Sequence, residues 1–469
     1  MRSASETLAG FAADLTYDGL PTAVRAKVKL HFLDLCGVAL AAYGSDFADA
    51  ALAVARAVGG PAACTVIGYR HRLPAVWAAL VNGTLAHGLD YDDTHTESVV
   101  HVSASVVPAA LAACEEAAAD GRTLLTALAA GMEANIRIGL VARGGFHDRG
   151  FHPTGVCGTF ASALVAGKVA SLDREQLADA LGLAGSQAAG SLEFLTDGAW
   201  AKRIHAGWAA HGGLIAARLA AAGFTGPRGT FDGRFGLYRS HLGGGDWDMA
   251  QLTSALGQHW ELLNIGLKPY PCCHFNHAFI DCAAALRAQF GVTAEQIAQI
   301  ECFISPREVP IVCEPAASKR APQNDYDAKF SLPYTVACMF LRGHVDIDDF
   351  TDTAIRDPAA LALAQRVVYG DDPESDFPRR FPGWLRLRLR DGRTLEHHEA
   401  VNRGSAERPL TETEVRAKFR RNAARALSPE RAEAIIATVA ALEDCRSVAQ
   451  LGTGLCPRPK DTPTTDQAD

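Results

Sequence analysis

Several features are missing from this sequence, and each absence excludes something. There is no excess of basic residues: 45 Lys and Arg stand against 53 Asp and Glu, a formal net charge of −8. General attraction to nucleic acid or to an anionic membrane surface is therefore not expected. No basic n-region followed by an apolar core opens the chain; Met1 to Leu15 alternates small, polar and acidic residues, which argues against a secretory leader. No apolar stretch reads as a membrane span, because the stretches are Ala-rich and broken by Gly, His and charge. The 12 cysteines are scattered with no C-x-x-C pair, so reduced, buried thiols in a cytoplasmic protein are expected. No internal repeat is visible.

What is present describes a folded enzyme-sized chain. Its 469 residues exceed a single compact core, so two domains are expected. Hydrophobic residues at 48% and charged residues at 21% suit a globular protein and not a disordered one. An acidic protein can still hold an anion where isolated lysines converge, so lysines in unusual settings carry weight.

Periodicity divides the chain. Ser3 with Glu6 has capping-box spacing, and Leu8, Phe11, Ala12 and Leu15 mark one helical face. Pro21 opens a long amphipathic run through Val24, Val28, Phe32, Leu35 and Leu40 that stops near Gly44. Further helices are predicted over 74–86, 104–119, 123–141, 159–170 and 206–222, with Asp173 and Gln176 capping another. Alanine richness allows their close approach. After Gly266 the pattern changes. Ile300, Cys302 and Ile304 alternate with Glu301 and Phe303, and Leu385, Leu387 and Leu389 alternate with three arginines before the Asp391-Gly392 turn. A helix is expected over 327–341. From Thr411 the chain returns to helix, with Ser428-Pro429-Glu430 as another start, and residues 456–469 are expected to fray. The predicted fold is mainly α: a large all-helical domain from both chain ends, 1–266 and 405–469, with a smaller α+β lid, 267–404, inserted.

Five polar segments interrupt this frame. His87, Asp90, Asp92, Asp93, Thr94 and His95, followed by His101, break an apolar helix and need partners. They suit a metal site on His87, Asp90, Asp93 and His95. They also suit a diphosphate–magnesium site on Asp92, Asp93 and Glu97, or a metal-free acid–base site. A second Asp-rich run, Asp348-Asp349-Phe-Thr-Asp352, lies at a helix start in the mixed region, where capping explains it. His152 precedes Pro153, which holds it extended at a helix entry; its alternative is a loop histidine capping local backbone. Lys202 and Arg203 lie beside an apolar helix, placed for carboxylate capture or simply snorkelling to solvent. Lys268 precedes Cys272, Cys273, His274 and His277. Zinc on His274 and His277 with the thiols lacks a fourth partner at familiar spacing, whereas Lys268 at the predicted domain junction suits a substrate anion.

Taken in order, these segments resemble the MmgE/PrpD family, which includes 2-methylcitrate dehydratases, cis-aconitate decarboxylases and iminodisuccinate epimerase-like enzymes. The resemblance begins with Leu20-Pro-x-x-Val24 and Phe32-Leu-Asp-Leu-Cys-Gly-Val38. Its most specific motif is Asn82-Gly-x-x-Ala86-His-x-Leu-Asp-Tyr-Asp-Asp-Thr94. It continues through His101 with Val107-Pro108, His152-Pro-Thr-Gly155, Lys202 with His205 and His211-Gly212, Lys268-x-Tyr-Pro271, Phe330-Ser331-x-x-Tyr334 and Leu410-Thr-x-x-Glu414. The resemblance implies a two-domain subunit, usually a homodimer, that needs no cofactor or metal and handles small carboxylic acids. It implies Asp90, Thr94, His101 and His152 as catalytic residues, and Lys202 and Lys268 as carboxylate-binding residues, with Cys273 and His274 beside them. Asp90 is expected to orient a histidine.

Two departures touch the cis-aconitate decarboxylase branch. Its histidine two residues after the proline is here Cys273, with His274 one step late, and Ile311-Val312-Cys313 occupies the region of its lid tyrosine. The expectation therefore moves towards a dehydratase-type lyase acting on a hydroxy-polycarboxylate. An epimerase or decarboxylase of a small acid is the alternative. A metal-dependent enzyme using the Asp-rich cluster and a non-catalytic carboxylate-binding protein are the outside readings.

Overall fold

The computed structural model describes residues 2–244, 246–377 and 379–457. Beyond residue 457, the expected frayed end lies outside the described residues. Helices make up 57% of the structure and strands 8%, so the chain is mainly α as its periodicity predicts.

The capping signals are realised. Ser3 and Glu6, Asp173 and Gln176, and Thr411 and Glu414 each form a reciprocal capping box, opening the helices Ala4–Asp14, Arg174–Ala184 and Glu412–Ala423. Pro21 precedes Thr22–Ala41. Five helices carry the main core: Thr22–Ala41, Ala75–Gly88, Ser103–Glu116, Gly121–Ala142 and Pro153–Val169. Ala201–Ala221 packs on both Pro153–Val169 and Ala75–Gly88, while Glu412–Ala423, from the far end of the chain, packs on Thr22–Ala41. Gly121–Ala142 is long and apolar enough to cross a membrane, a feature the interrupted composition did not suggest. Its whole apolar window is buried against other helices. One small correction applies to the helical region: Cys64–Thr65 and Arg72–Leu73 form a two-residue antiparallel ladder.

A second core gathers around a four-stranded sheet. Its order is Val367–Asp371, Ile297–Ile304, Gly383–Leu389, Thr394–Glu399. The first pair is parallel and joined through helical segments; the other two pairs are antiparallel, the last turning at Gly392 with φ +91°. The parallel strand Val367–Asp371 was not expected, since its five residues lack the alternation that marked the others. The helix expected over 327–341 is two helices, Asp325–Lys329 and Leu332–Arg342, because Ser331 adopts an extended backbone and caps the second. The Asp-rich run after Gly343 is a cap: Asp346 and Asp349 form a capping box on a short 3-10 turn.

The segments linking the two cores run side by side, the Leu267 N–H donating to Gly404 O at 2.8 Å. Gly404 takes φ +89°, and a Cβ there would fall 1.9 Å from Leu267 O, so only glycine fits. Gly266 in turn exchanges two 2.9 Å backbone hydrogen bonds with Thr94.

Candidate active site

The site begins with two helices that cross on glycine. A Cβ on Gly83 would lie 2.5 Å from the Gly207 Cα, and one on Gly207 would lie 2.2 Å from Leu80 O. Helices Ala75–Gly88 and Ala201–Ala221 therefore touch backbone to backbone. That approach sets the end of the first helix beside Lys202, in the first turn of the second.

After the helix ends, Asp90 turns the chain in a left-handed conformation, φ +56°, which Asp tolerates better than most residues. Its Oδ1 accepts from Lys202 Nζ, its Oδ2 lies 3.4 Å from Lys268 Nζ, and its backbone carbonyl accepts from Lys268 Nζ at 3.0 Å. Asp90 and Lys268 are each 1% exposed and Lys202 is 5% exposed. Burial alone would raise the Asp90 pKa, but Lys202 and then Lys268 outweigh it and hold the carboxyl well below its ordinary value. Lys202 also lies over the Phe330 ring, 5.1 Å from its centroid.

The histidine contacts nearest this point are made by a different aspartate. Asp90 is occupied by lysines; Asp92 accepts from His87 Nδ1 at 2.7 Å and lies 3.5 Å from His101 Nδ1. Burial opposes its charge, but His87 and His101 bring the Asp92 pKa down to about 2. Asp93 turns away to His31 at 2.6 Å and to the backbone N–H of Ser103 at 2.9 Å. The metal set considered from sequence is therefore dispersed, with Asp90 on the lysines, Asp93 on His31, and His95 on Ser98. Among the described residues, the one group of three or more ligand-type side chains close together is His87, Asp92 and His101, within 4.8 Å.

His101 Nδ1 donates to Asp93 O at 2.9 Å and lies 3.3 Å from Thr94 Oγ1, while its backbone N–H donates to Thr154 Oγ1. A carbonyl can only accept, so Nδ1 carries the hydrogen and Nε2 of the neutral ring is the bare nitrogen. Burial lowers the His101 pKa to about 3; Asp92 resists this, and Lys268 and Lys202 add to it. His152 sits extended before Pro153 at the entry to Pro153–Val169, as expected, and its side chain makes no cap bond, unlike the loop-capping alternative. Its ring bonds His205 and stacks on His87 at 5.4 Å.

From the other core come Cys273 and His274, at the entry to His277–Phe290. Lys329 grips their segment twice: its Nζ donates to Pro271 O at 2.9 Å, and its carbonyl accepts from Cys273 N–H at 2.9 Å. His274 Nε2 meets Asn402 at 2.7 Å, leaving a buried Nδ1 with no hydrogen-bond partner. Burial brings its pKa to about 3 and keeps the Cys273 thiol protonated, up to about 12. The His277 Nε2 hydrogen bond goes to Cys272 O.

All eight residues singled out from sequence line one cavity: Asp90, Thr94, His101, His152, Lys202, Lys268, Cys273 and His274. Its wall also contains Ile311 and Phe330, which the sequence motifs touched without a site role, and His147, Phe194 and Phe381, which sequence reasoning passed over. Nothing in the local pattern distinguishes an apolar wall from ordinary core, and Phe194 reaches the second core from the first half of the chain. Asn402 was missed as well, being a single amide in a loop.

Models of the MmgE/PrpD N-terminal and C-terminal domains match residues 6–250 and 270–444. The chain belongs to the MmgE/PrpD family. Similar proteins include the cis-aconitate decarboxylase of Mus musculus, 27% identical over 463 residues, 96% of this chain and 93% of that one. One from Aspergillus terreus is 25% identical over 465 residues, 94% and 93% of the two chains. A cis-aconitate decarboxylase-like protein of Aspergillus oryzae is 27% identical over 405 residues, 83% and 84%. Both departures noted above lie in the cavity wall. Cys273 and His274 share the cavity, so a histidine is present there despite its shift, whereas the wall at Ile311 is aliphatic.

Proposed function

We propose that this MmgE/PrpD enzyme is a dehydratase-type lyase that needs no cofactor and acts on a small hydroxy-polycarboxylate by acid–base catalysis. The observation that carries the reading is the convergence of Lys202 and Lys268 on Asp90 at a cavity lined by four histidines, His101, His147, His152 and His274. Two ammonium groups share one carboxylate, so the pair has positive charge to spare for a substrate anion. Removing a proton next to a carboxylate builds further negative charge, which fixed lysines favour in the transition state more than in the ground state.

His101 supplies the base, its bare Nε2 taking the proton, and His152 supplies the acid for the departing hydroxyl. A histidine pulled down to about 3 is a weak base. Bringing a polycarboxylate alongside adds negative charge that raises it towards its working range. The Asp93 carbonyl holds the ring of His101 through Nδ1, Asp92 faces that ring at 3.5 Å, and Thr94 flanks it. Decarboxylation is the second reading, favoured by the relatives' activity and by His274 in the cavity wall. Epimerisation would use His101 and His152 on opposite substrate faces.

A panel of hydroxy-, unsaturated and amino-polycarboxylates, followed by NMR in deuterated water, separates the three. Elimination supports the first reading, carbon dioxide loss the second, and hydrogen exchange without elimination the third. Binding without any turnover across the panel overturns all of them. Activity is expected to withstand chelators; stoichiometric metal and loss of activity on chelation would point to a metal-dependent enzyme instead. A homodimer in a cytoplasmic setting goes with this reading, and a monomer mass by light scattering would overturn the assembly.

A further inference from the structure

His152 is joined to a second histidine that lines no part of the cavity. The two Nδ1 atoms lie 3.0 Å apart, so in the neutral pair one must donate and the other accept. His152 is 4% exposed, while His205, four residues into the Ala201–Ala221 helix, is only half-buried beside the exposed Ile204 and Trp208. The approach of the rings is built in. Gly190, at φ +145°, lies against both, and a Cβ there would sit 3.3 Å from His152 Cβ and 3.4 Å from His205 Nδ1. The Gly190 carbonyl holds the His152 N–H at 2.9 Å. Phe194 presents an edge to both rings, at 6.2 and 6.0 Å between centroids. Each ring therefore has its Nδ1 committed to the other.

We propose that His205 is the outer member of a two-histidine proton relay that exchanges the His152 proton with solvent. The inference rests on the reading of His152 as the acid. When His152 gives its Nε2 proton to the substrate, its Nδ1 takes the shared proton from His205 Nδ1, and His205 gains one at Nε2 from water. One proton enters for each delivered, and no electrons move. The same path run backwards carries a proton out. The location of the shared proton decides which form His152 presents: with His205 donating, His152 is an Nε2–H acid; with His152 donating, it is a base.

The test compares His205→Gln with His152→Gln, using whichever substrate the panel identifies. Glutamine can still hydrogen-bond and orient His152 but cannot relay. His205→Gln is expected to lower kcat by roughly 10²-fold, the lower end of what a positioned acid–base group contributes. Imidazole buffer should restore part of the rate in proportion to its concentration. An orienting role predicts near-normal kcat in His205→Gln and no buffer dependence, which overturns the relay while leaving His152 as the acid. Full activity in His152→Gln overturns the reading of His152 itself. Without turnover, 15N NMR of the histidines reads the same link: the nitrogen shifts of His152 should move on His205→Gln, and unchanged shifts count against the relay.

Discussion

Lys268 ion-pairs with the carboxylate and hydrogen-bonds the backbone carbonyl of a residue held in a left-handed turn, so it fixes shape as well as charge. Lys268→Met is expected to reduce kcat/KM by roughly 10²–10³-fold, the loss typical when one fixed stabiliser of developing charge is removed. It should also destabilise the fold by about 3–5 kcal/mol, because a buried charge loses a partner. Steady-state kinetics together with urea titration check both, and wild-type kinetics would remove Lys268 from the site. Asp92→Asn separates the two aspartates. It leaves Asp90 and its lysines untouched but disturbs the rings of His87 and His101, so kcat should fall by about 10²-fold or more with little change in KM. An effect on KM alone would mean Asp92 does not orient the base. Sequence made the residue types of this cluster legible but not their pairing: Asp90, Asp92 and Asp93 lie within four positions, and the turn at Asp90 sends each to a different partner.

At the scale of elements, the site depends on how closely two helices cross. Gly83→Val places a branched side chain where backbone already sits 2.5 Å away. The helices must separate, costing about 1–3 kcal/mol in overpacking and drawing Lys202 away from Asp90. A lower Tm with weakened substrate binding is the expected outcome; an unchanged Tm would show that the crossing is not tight. The helices themselves were readable from capping boxes and periodicity, since those are local signals. The crossing was not, because a glycine inside an apolar helix looks the same whether it faces another backbone or fills no particular role. The strand Val367–Asp371 and the break at Ser331 were hidden for a related reason. Each is set by its neighbour across the sheet or by one cap, and five to ten residues carry too little pattern to show it.

Across the whole molecule, buried neutral histidines set the acid limit of stability. His101 and His274 are held down to about 3 and His205 to about 4, all chiefly by burial. Between those values and their ordinary 6.5 the unfolded chain binds more protons than the folded one, so stability falls as pH drops below 6.5. Each such histidine contributes up to about 1.4 kcal/mol per pH unit over that window. The urea midpoint should therefore drop between pH 7 and pH 5, and less steeply in His101→Gln; a flat profile would mean these rings charge freely while folded. Sequence alone determined the mainly helical class, the polar clusters and the family resemblance, because composition, periodicity and ordered motifs are written along the chain. The tertiary structure alone decided that Lys202 and Lys268 meet on Asp90, that Asp92 hydrogen-bonds His87, and that His205 stands behind His152. The lysine and His205 pairings join residues far apart in sequence, brought within hydrogen-bond reach by the close helix crossing and the linked Thr94, Gly266 and Gly404 segments, whereas the Asp92 pairing is local and set by the left-handed turn at Asp90.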